Sequence, residues 1–289
     1  MTVDMTPLNS AADCEWWLGA GPVERGTHDG FEFAHDGNTL IASRRLPADP
    51  AADLERVTRS SYLRMDALLR RFGFPHWQRM WNYLARINQG EGDDERYRQF
   101  NAGRFAAVAL RSDNHQNLPA ASGVGSGGNQ LVLACIAGRR PAWQIENPRQ
   151  MSAFHYPRQH GPRAPLFSRA ALVPNSHGAQ LLISGTASIV GHESRHPGDV
   201  AAQLDETIDN LRALLTETLR QHAPGMNADS LKPESLRVYL RDADDLATVV
   251  AGLARWTEPR QPALFVQAEI CRRELLLEIE GTYQLPPIS

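Results

Sequence analysis

The chain has 289 residues, 42% hydrophobic and 22% charged, and 30 Lys and Arg against 33 Asp and Glu leave a net charge of −3. That length suits two compact units, and the composition is that of a folded globular protein, neither disordered nor fibrous. The slightly acidic balance argues against a bulk nucleic-acid binder, and no run approaches the roughly 20 apolar residues of a membrane helix.

Short apolar pieces broken by glycine open the chain, at residues 30–33 and 39–43. Leu54, Val57, Tyr62, Met65, Leu68 and Leu69 recur near helical spacing, which predicts a helix over 53–71, ended by Gly73 and Pro75. An aromatic-rich stretch follows at 76–87, then a charged segment at 91–100. Residues 104–111 and 130–136 read as strands. A linker rich in Pro and Arg, 139–165, separates the halves. Beyond it, 179–190 reads as a strand. Val200, Leu204, Ile208, Leu211 and Leu215 make one face of an amphipathic helix over 199–222. A strand at 236–241, a helix at 243–254 and a hairpin over 263–283 complete a β-α-β-α-β-β order. That order predicts an α+β fold, a sheet with helices packed on one side.

Some chemistries are set aside at this stage. Lys232 is the only lysine and sits beside Pro233, so a Schiff-base enzyme would rest on that residue alone. Cys14, Cys135 and Cys271 are odd in number and far apart, which spells neither a disulfide framework nor a cysteine zinc site. Residues 1–17 lack the basic start and apolar run of a signal peptide, so a reduced cytoplasmic location is expected. Residues 123–128 satisfy G-x-G-x-x-G, but a polar loop precedes them and a strand follows, so they read as a flexible glycine turn. His192-Glu193-Ser194-Arg195-His196 matches H-E-x-x-H. Gly191 and Pro197-Gly198 bracket it, which predicts a surface loop rather than a zinc-binding helix face.

The second half resembles the RidA/YjgF family. The residues are Ile183-Ser184-Gly185-Thr186-Ala187, Asp199-Val200-Ala201-Ala202-Gln203, Thr207-Ile208-Asp209-Asn210-Leu211, Val238-Tyr239-Leu240-Arg241-Asp242 and Glu278-Ile279-Glu280-Gly281. RidA-type imine deaminases hold the substrate carboxylate with an arginine on the penultimate strand. Residues 262–271 contain none, and Phe265 and Gln267 fill the candidate positions, so deaminase activity is not expected.

The whole chain resembles the chorismatases, also called pteridine-dependent deoxygenase-like proteins. Trp81-Asn82-Tyr83-Leu84-Ala85-Arg86-Ile87-Asn88 leads into Gly90-Glu91-Gly92-Asp93-Asp94-Glu95-Arg96-Tyr97. Tyr156-Pro157-Arg158, Gly161-Pro162-Arg163-Ala164-Pro165, Phe167-Ser168-Arg169-Ala170, residues 184–191 and the segments 269–272 and 278–281 follow in family order. The resemblance implies an α+β fold of two RidA/YjgF-like (chorismate-mutase-like) units, with mixed sheets and helices packed on one face. Residues 1–150 would be a degenerate N-terminal unit, and 151–289 the unit carrying the catalytic hairpin. It also implies action on chorismate without metal or cofactor, with release of pyruvate; charge and composition add the expectation of no nucleic-acid or membrane partner. RidA-like sites lie at trimer interfaces, so the expectation is a homotrimer or a monomer whose fused halves imitate one interface.

Chorismate carries two carboxylates and an enol ether, so its binder needs paired cations and polar anchors. Arg149, Arg158, Arg163 and Arg169 cluster with His155 and Tyr156. Most arginines are solvated surface charges; the resemblance favours Tyr156, Arg163 and Arg169, with Arg158 beside them. Cleaving the enol ether begins with a proton delivered to its methylene carbon, from a carboxylic acid kept neutral by burial. Strand alternation over 275–281 puts Leu275, Leu277 and Ile279 on one face and Leu276, Glu278 and Glu280 on the other. Glu278 is then either a salt-bridged strand glutamate or a functional acid; the resemblance makes it the catalytic acid. A two-residue turn at Arg272-Arg273 would put Gln267 opposite Glu278, with Cβ atoms about 5 Å apart. It would leave Cys271 about 13 Å along the strand. The resemblance nonetheless implicates a cysteine there in steering toward aromatic products; inert packing is the alternative. The resemblance also implies a small wall residue that decides whether water reaches the cation, for which Gly185 and Ala187 are the candidates.

The expected function is conversion of chorismate to 3-hydroxybenzoate, in some members together with 4-hydroxybenzoate, and pyruvate. The alternatives are a hydrolytic chorismatase giving a dihydroxycyclohexadiene carboxylate, and a non-enzymatic RidA-like ligand-binding module.

Overall fold

A computed structural model describes residues 1–9, 14–47, 53–111, 117–257 and 263–286. Its first elements are β1 (Thr6–Pro7), β2 (Glu24–His28), β3 (Phe31–His35), β4 (Thr39–Pro47), α1 (Leu54–Arg71), β5 (His76–Ala85), α2 (Arg96–Val108), β6 (Ala120–Ser126) and β7 (Gln130–Gly138). Then come β8 (Trp143–Ile145), β9 (Ala170–Asn175), β10 (Gly178–Thr186), β11 (Ile189–Val190), β12 (Glu193–Ser194), α3 (Val200–His222), β13 (Pro233–Leu240), α4 (Leu246–Leu253), β14 (Ala263–Gln267) and β15 (Leu277–Leu285). The helix predicted over 53–71 forms as α1, with the Asp53 carboxylate accepting from the Arg56 N–H at 2.9 Å. Asp199 caps α3 in the same way, through the Ala202 N–H at 3.0 Å.

Apart from the separate β11–β12 pair, the strands make two mixed sheets of one topology. The first runs β2-β3-β4-β7-β5-β6 and the second β1-β14-β13-β15-β10-β9-β8. Within them β3-β4-β7-β5-β6 and β9-β10-β15-β13-β14 are the same order, each with one parallel pair, β5 with β6 and β13 with β14. The fold is therefore α+β, as expected. The central strands β5, β7 and β15 bury both faces, and the period-2 pattern shows which side chain goes where. In β7, Leu131, Leu133, Cys135 and Ala137 pack under α1, while Val132, Ala134 and Ile136 face the second sheet. In β15, Leu277, Ile279, Tyr283 and Leu285 join the core under α3. The alternate positions of β15, Glu278 and Glu280, thereby turn toward the layer between the sheets, where Trp81, Tyr83 and Tyr239 pack.

The structure corrects parts of the sequence reading. Residues 104–108 are helix, the end of α2, rather than strand; this helix buries Asn101 and Arg104 as well as Phe100 and Val108, so it carries no clean apolar stripe. The glycine run is not a turn at its start, because Gly123 and Gly125 lie in β6. A Cβ on Gly123 would stand 3.2 Å from the Tyr97 ring, and one on Gly125 would stand 2.7 Å from Glu269 Cβ. Most consequentially, 263–283 is not a hairpin. β13 lies between β14 and β15, parallel to the first and antiparallel to the second. Gln267 is therefore opposite Leu240, not Glu278; it is exposed and its amide donates to the Arg241 carbonyl at 3.4 Å.

Candidate active site

A cavity of about 430 Å³ opens between the two sheets, a size that suits a small organic ligand. The first half contributes Tyr97, Asn101 and Arg104 from α2, spaced so that they share a helix face, and Ser122 and Gly123 from β6. The second half contributes Tyr156, Arg169, Gly185, Ala187, Cys271, Arg272 and Glu278.

Of the residues singled out in the sequence, the structure brings together Tyr156, Arg169, Gly185, Ala187, Cys271 and Glu278. With the hairpin gone, Cys271 sits on the 268–276 connection, which folds back so that its thiol and Glu278 line one cavity. Burial first, then the neighbouring Glu278, push that thiol up to about 12, so it stays protonated. Arg158, Arg163 and Gln267 lie elsewhere. Arg158 is exposed and pairs with Asp93, and Arg163 is exposed with its guanidinium 5.0 Å from the Phe105 ring centroid.

Two buried carboxyls lie here, of which Glu278 lines the cavity and Glu280 does not. Glu278 and Glu280 are each 4% exposed, two residues apart on one face of β15. Glu280 accepts from Arg79 at 2.6 Å, Arg237 at 2.7 Å, Trp81 Nε1 at 2.9 Å, the Tyr239 hydroxyl at 3.0 Å and the Ser122 hydroxyl. Burial pushes Glu280 up, but Arg79 and Arg237, with the Ser122 and Trp81 donors, outweigh it and hold the carboxyl below its ordinary value. Glu278 has no such grip. Burial and then the charge of Glu280 push it up, Arg79 and Arg169 oppose them, and it settles at about 8. One carboxyl is thus a fixed anion and its neighbour an acid that keeps its proton at neutral pH, a split of environments that assigns acid and base roles elsewhere.

Gly185 packs directly against Glu278. It lies where the β10–β15 register shifts between Ile183 and Thr186, and a Cβ there would fall 1.8 Å from Glu278 Oε1. Its N–H donates to Ser122 Oγ at 2.9 Å.

Cations line the walls. Arg104 is buried over the Tyr62 ring, and its Nε and Nη2 have no hydrogen-bond partner among the described residues. Arg169 gives Nη2 to the Met151 carbonyl at 2.6 Å and the Tyr156 hydroxyl at 2.8 Å, but its Nε is unpartnered. Arg272 binds the His192 carbonyl at 2.9 Å and leaves Nη2 unpartnered. The Arg169 and Arg272 guanidiniums both approach the Tyr156 ring, at 5.6 and 5.3 Å from its centroid. Buried donors left open cost about 1–3 kcal/mol each, so several around one void mark where a ligand's acceptors fit. Arg104 and Arg272 were missed in the sequence. The usable signal for the first was the i, i+4, i+7 spacing of Tyr97, Asn101 and Arg104, hidden once 104–111 was read as strand.

The H-E-x-x-H run forms the β11–β12 turn and the loop after it. Glu193 pairs with Arg195 and His196 with Glu206, while His192 Nδ1 lies 3.1 Å from His160 Nε2 at the cavity mouth. Burial, Arg272 and His192 push His160 down to about 4, so it is neutral near pH 7.

The fold and site define an α+β protein of two like sheets with an arginine-lined pocket between them. Comparison with known proteins narrows this. The family model described as "Chorismatase FkbO/Hyg5-like, N-terminal" matches residues 15–137. A 3-hydroxybenzoate synthase of Streptomyces hygroscopicus is 33% identical over 290 residues, covering 97% of this chain and 84% of that protein. A chorismatase crystal structure at 1.08 Å superposes with a TM-score of 0.84 at 33% identity, over 91% of this chain and 80% of the other. A Rid-family protein of Yersinia pestis aligns with half of this chain and 99% of its own, at 18% identity and a TM-score of 0.38. The chain belongs to the chorismatase family.

Proposed function

We propose that this protein converts chorismate to 3-hydroxybenzoate and pyruvate, with Glu278 as the proton donor. The observation that carries the reading is Glu278 itself, a buried carboxyl held protonated at neutral pH inside a cavity with open guanidinium donors. The name of the S. hygroscopicus relative supports the product. The substrate's two carboxylates fit Arg104 on one wall and Arg169 with Arg272 on the other, and the unpartnered Oε1 of Gln150 fits its hydroxyl. Glu278 gives its proton to the methylene carbon of the enol ether, and the resulting oxocarbenium ion loosens the bond to the ring. The two products together hold the atoms of chorismate, so the aromatising route consumes no water and no redox partner.

Both halves supply cavity residues, which supports two units whose contact builds the site within one chain, the fused-halves alternative to a trimer; β1 and β8 pair into the second sheet, so the division at residue 150 does not follow the sheets. Free thiols at Cys14, Cys135 and Cys271 fit a reducing cytoplasm. No helix among the described residues is long and apolar enough to cross a membrane.

The deciding experiment incubates purified protein with chorismate and no added metal or cofactor, and identifies products by chromatography and mass. Pyruvate with 3-hydroxybenzoate is expected. Pyruvate with a dihydroxydiene acid would move the protein to the hydrolytic branch, and no consumption would sink the reading.

Two further results are expected. kcat/KM stays level through neutral pH and falls tenfold per unit above about 8, as Glu278 loses its proton; an unchanged rate one unit above that would exclude Glu278 as the acid. Arg104→Met raises KM about 10- to 100-fold, the worth of one charged hydrogen bond, while Arg158→Ala and Arg163→Ala change it less than about twofold. Steady-state kinetics checks both, and equal effects of the three would refute the placement of the carboxylates.

A further inference from the structure

The proton donor has a neighbour that never meets the substrate. Glu280 is absent from the cavity lining, yet five side chains from three strands converge on it: Arg79 and Trp81 of β5, Ser122 of β6, and Arg237 and Tyr239 of β13. Placing a carboxylate here is costly, since ionic clusters of this kind are often no more stabilising than apolar packing of the same volume. Apolar residues already fill the rest of this layer between the sheets, so stability alone does not account for the cluster.

What the cluster does reach is Glu278. Ser122 Oγ donates to Glu280 while accepting from Arg79 at 2.7 Å and from the Gly185 N–H at 2.9 Å, and Gly185 is the residue against which the Glu278 carboxyl lies. A chain of contacts thus runs from the clamped anion through Ser122 and the bulge of β10 to the acid. The charges that act on Glu278 are Glu280 on its own strand, Arg79 from β5 and Arg169 just ahead of β9; its cavity also holds Tyr97, Arg98 and Arg104 of α2 with Glu95 before them, Tyr156 and His160, and Cys271, Arg272, Arg273 and Glu274 of the 268–276 connection. Glu280 is the negative charge that acts on Glu278, for Tyr97 and Cys271 are pushed up by burial and stay neutral. The other charges that act on it are guanidiniums, which favour an ionised Glu278.

We propose that Glu280 is a positioning residue for the reaction: clamped as a permanent anion by Arg79, Arg237, Trp81, Tyr239 and Ser122, it fixes the Glu278 carboxyl against Gly185 and keeps the proton on it among the substrate-binding arginines. This rests on the reading of Glu278 as proton donor. It resolves a conflict built into the site. A pocket basic enough to hold a dianion pulls protons off its own acids, and a fixed negative charge beside the donor offsets that pull.

The test uses the full chain and its Glu280→Gln variant. pH-difference infrared spectroscopy follows the protonated-carboxyl band that Glu278→Gln abolishes, and kcat/KM on chorismate is measured alongside. In the variant, Arg79 stands uncompensated, so the band's midpoint falls from about 8 by one unit or more. The alkaline limb of kcat/KM moves down with it, and activity lost at the wild-type optimum returns at least tenfold in mildly acidic buffer. An unmoved midpoint, or a loss equal at every pH, overturns the proposal, because damage to packing would not be repaired by protons. A midpoint that moves while the kinetic limb stays put overturns Glu278 as the donor, and with it the role of Glu280 in the reaction. If the single variant does not fold, Arg79→Gln/Glu280→Gln replaces the buried ion pair by two neutral amides. Glu280 acts on Glu278 more strongly than Arg79 does, so the midpoint is again expected to fall, and an unmoved one again overturns the proposal.

Discussion

Glu278→Gln is expected to reduce turnover by at least about 10³-fold while leaving a folded protein, the upper part of the range for losing a general acid. The amide has the shape of the protonated carboxyl and no proton to give. Its effect on stability should run the other way. In the wild type the folded state holds the Glu278 proton up to about 8, whereas the unfolded chain releases it near the ordinary value of 4.5. Between those two values the folded state binds more protons, so raising the pH erodes stability, by up to about 1.4 kcal/mol per unit from this group. The contribution is complete below 4.5 and gone above 8. The glutamine variant lacks that slope, so it matches the wild type in acid and exceeds it in mild alkali. Denaturant unfolding across the pH range, with an assay for pyruvate, reads both effects. A variant that is inactive because it is unfolded, or folded and fully active, contradicts the assignment.

The buried pair of carboxyls was legible in the sequence because a strand's period is local, while the choice of Glu278 as the acid came from the family resemblance. A glutamate among leucines with a second glutamate two residues on announces two carboxyls on one face, and β15 places both between the sheets. The capped helices α1 and α3 were legible for the same reason, since their signals lie within a few residues of each other. The pairing of β14 was not. Alternation over 263–267 and 277–283 is satisfied equally by a hairpin and by two strands split by a third, and only the contact with β13, more than 20 residues upstream, separates the two. The error passed directly into the site: it put Gln267 beside Glu278 and sent Cys271 away. The cavity arginines fared similarly. The Pro- and Arg-rich linker yielded Arg169 but also the solvent-facing Arg158 and Arg163. Arg104 sits on a helix whose polar side faces a cavity, where amphipathic reasoning assigns it to water. Charge-bearing positions that face a void inside the protein look, in sequence, like positions that face solvent.

Gly185→Ala carries the second large effect, and here the structure changes what the residue is for. A small wall residue near the ring would be expected to tune access of water, so that an added methyl shifts the product ratio and leaves the rate alone. The position of Gly185 predicts something else. A Cβ would stand 1.8 Å from Glu278 Oε1, 2.5 Å from its Cδ and 3.1 Å from its Cγ, so the obstruction meets most of the side chain rather than its tip. The backbone cannot retreat readily, since the Gly185 N–H is tied to Ser122, whose hydroxyl is engaged by Glu280 and Arg79. The carboxyl is therefore the part that yields, and it moves into the cavity where the substrate binds. A displacement of about 1 Å of a catalytic group costs on the order of 10²-fold. The expected result is a fall in kcat of that size or more, with stability lowered by about 1–3 kcal/mol from overpacking. Ala187→Gly, on the same wall but without this contact, is expected to alter kcat less than about tenfold and to act on the product ratio if either residue does. Product analysis of the two variants separates the cases. A Gly185→Ala enzyme with undiminished kcat and a new ratio of products would show that the methyl is accommodated and that the wall, not the acid, is what this glycine serves.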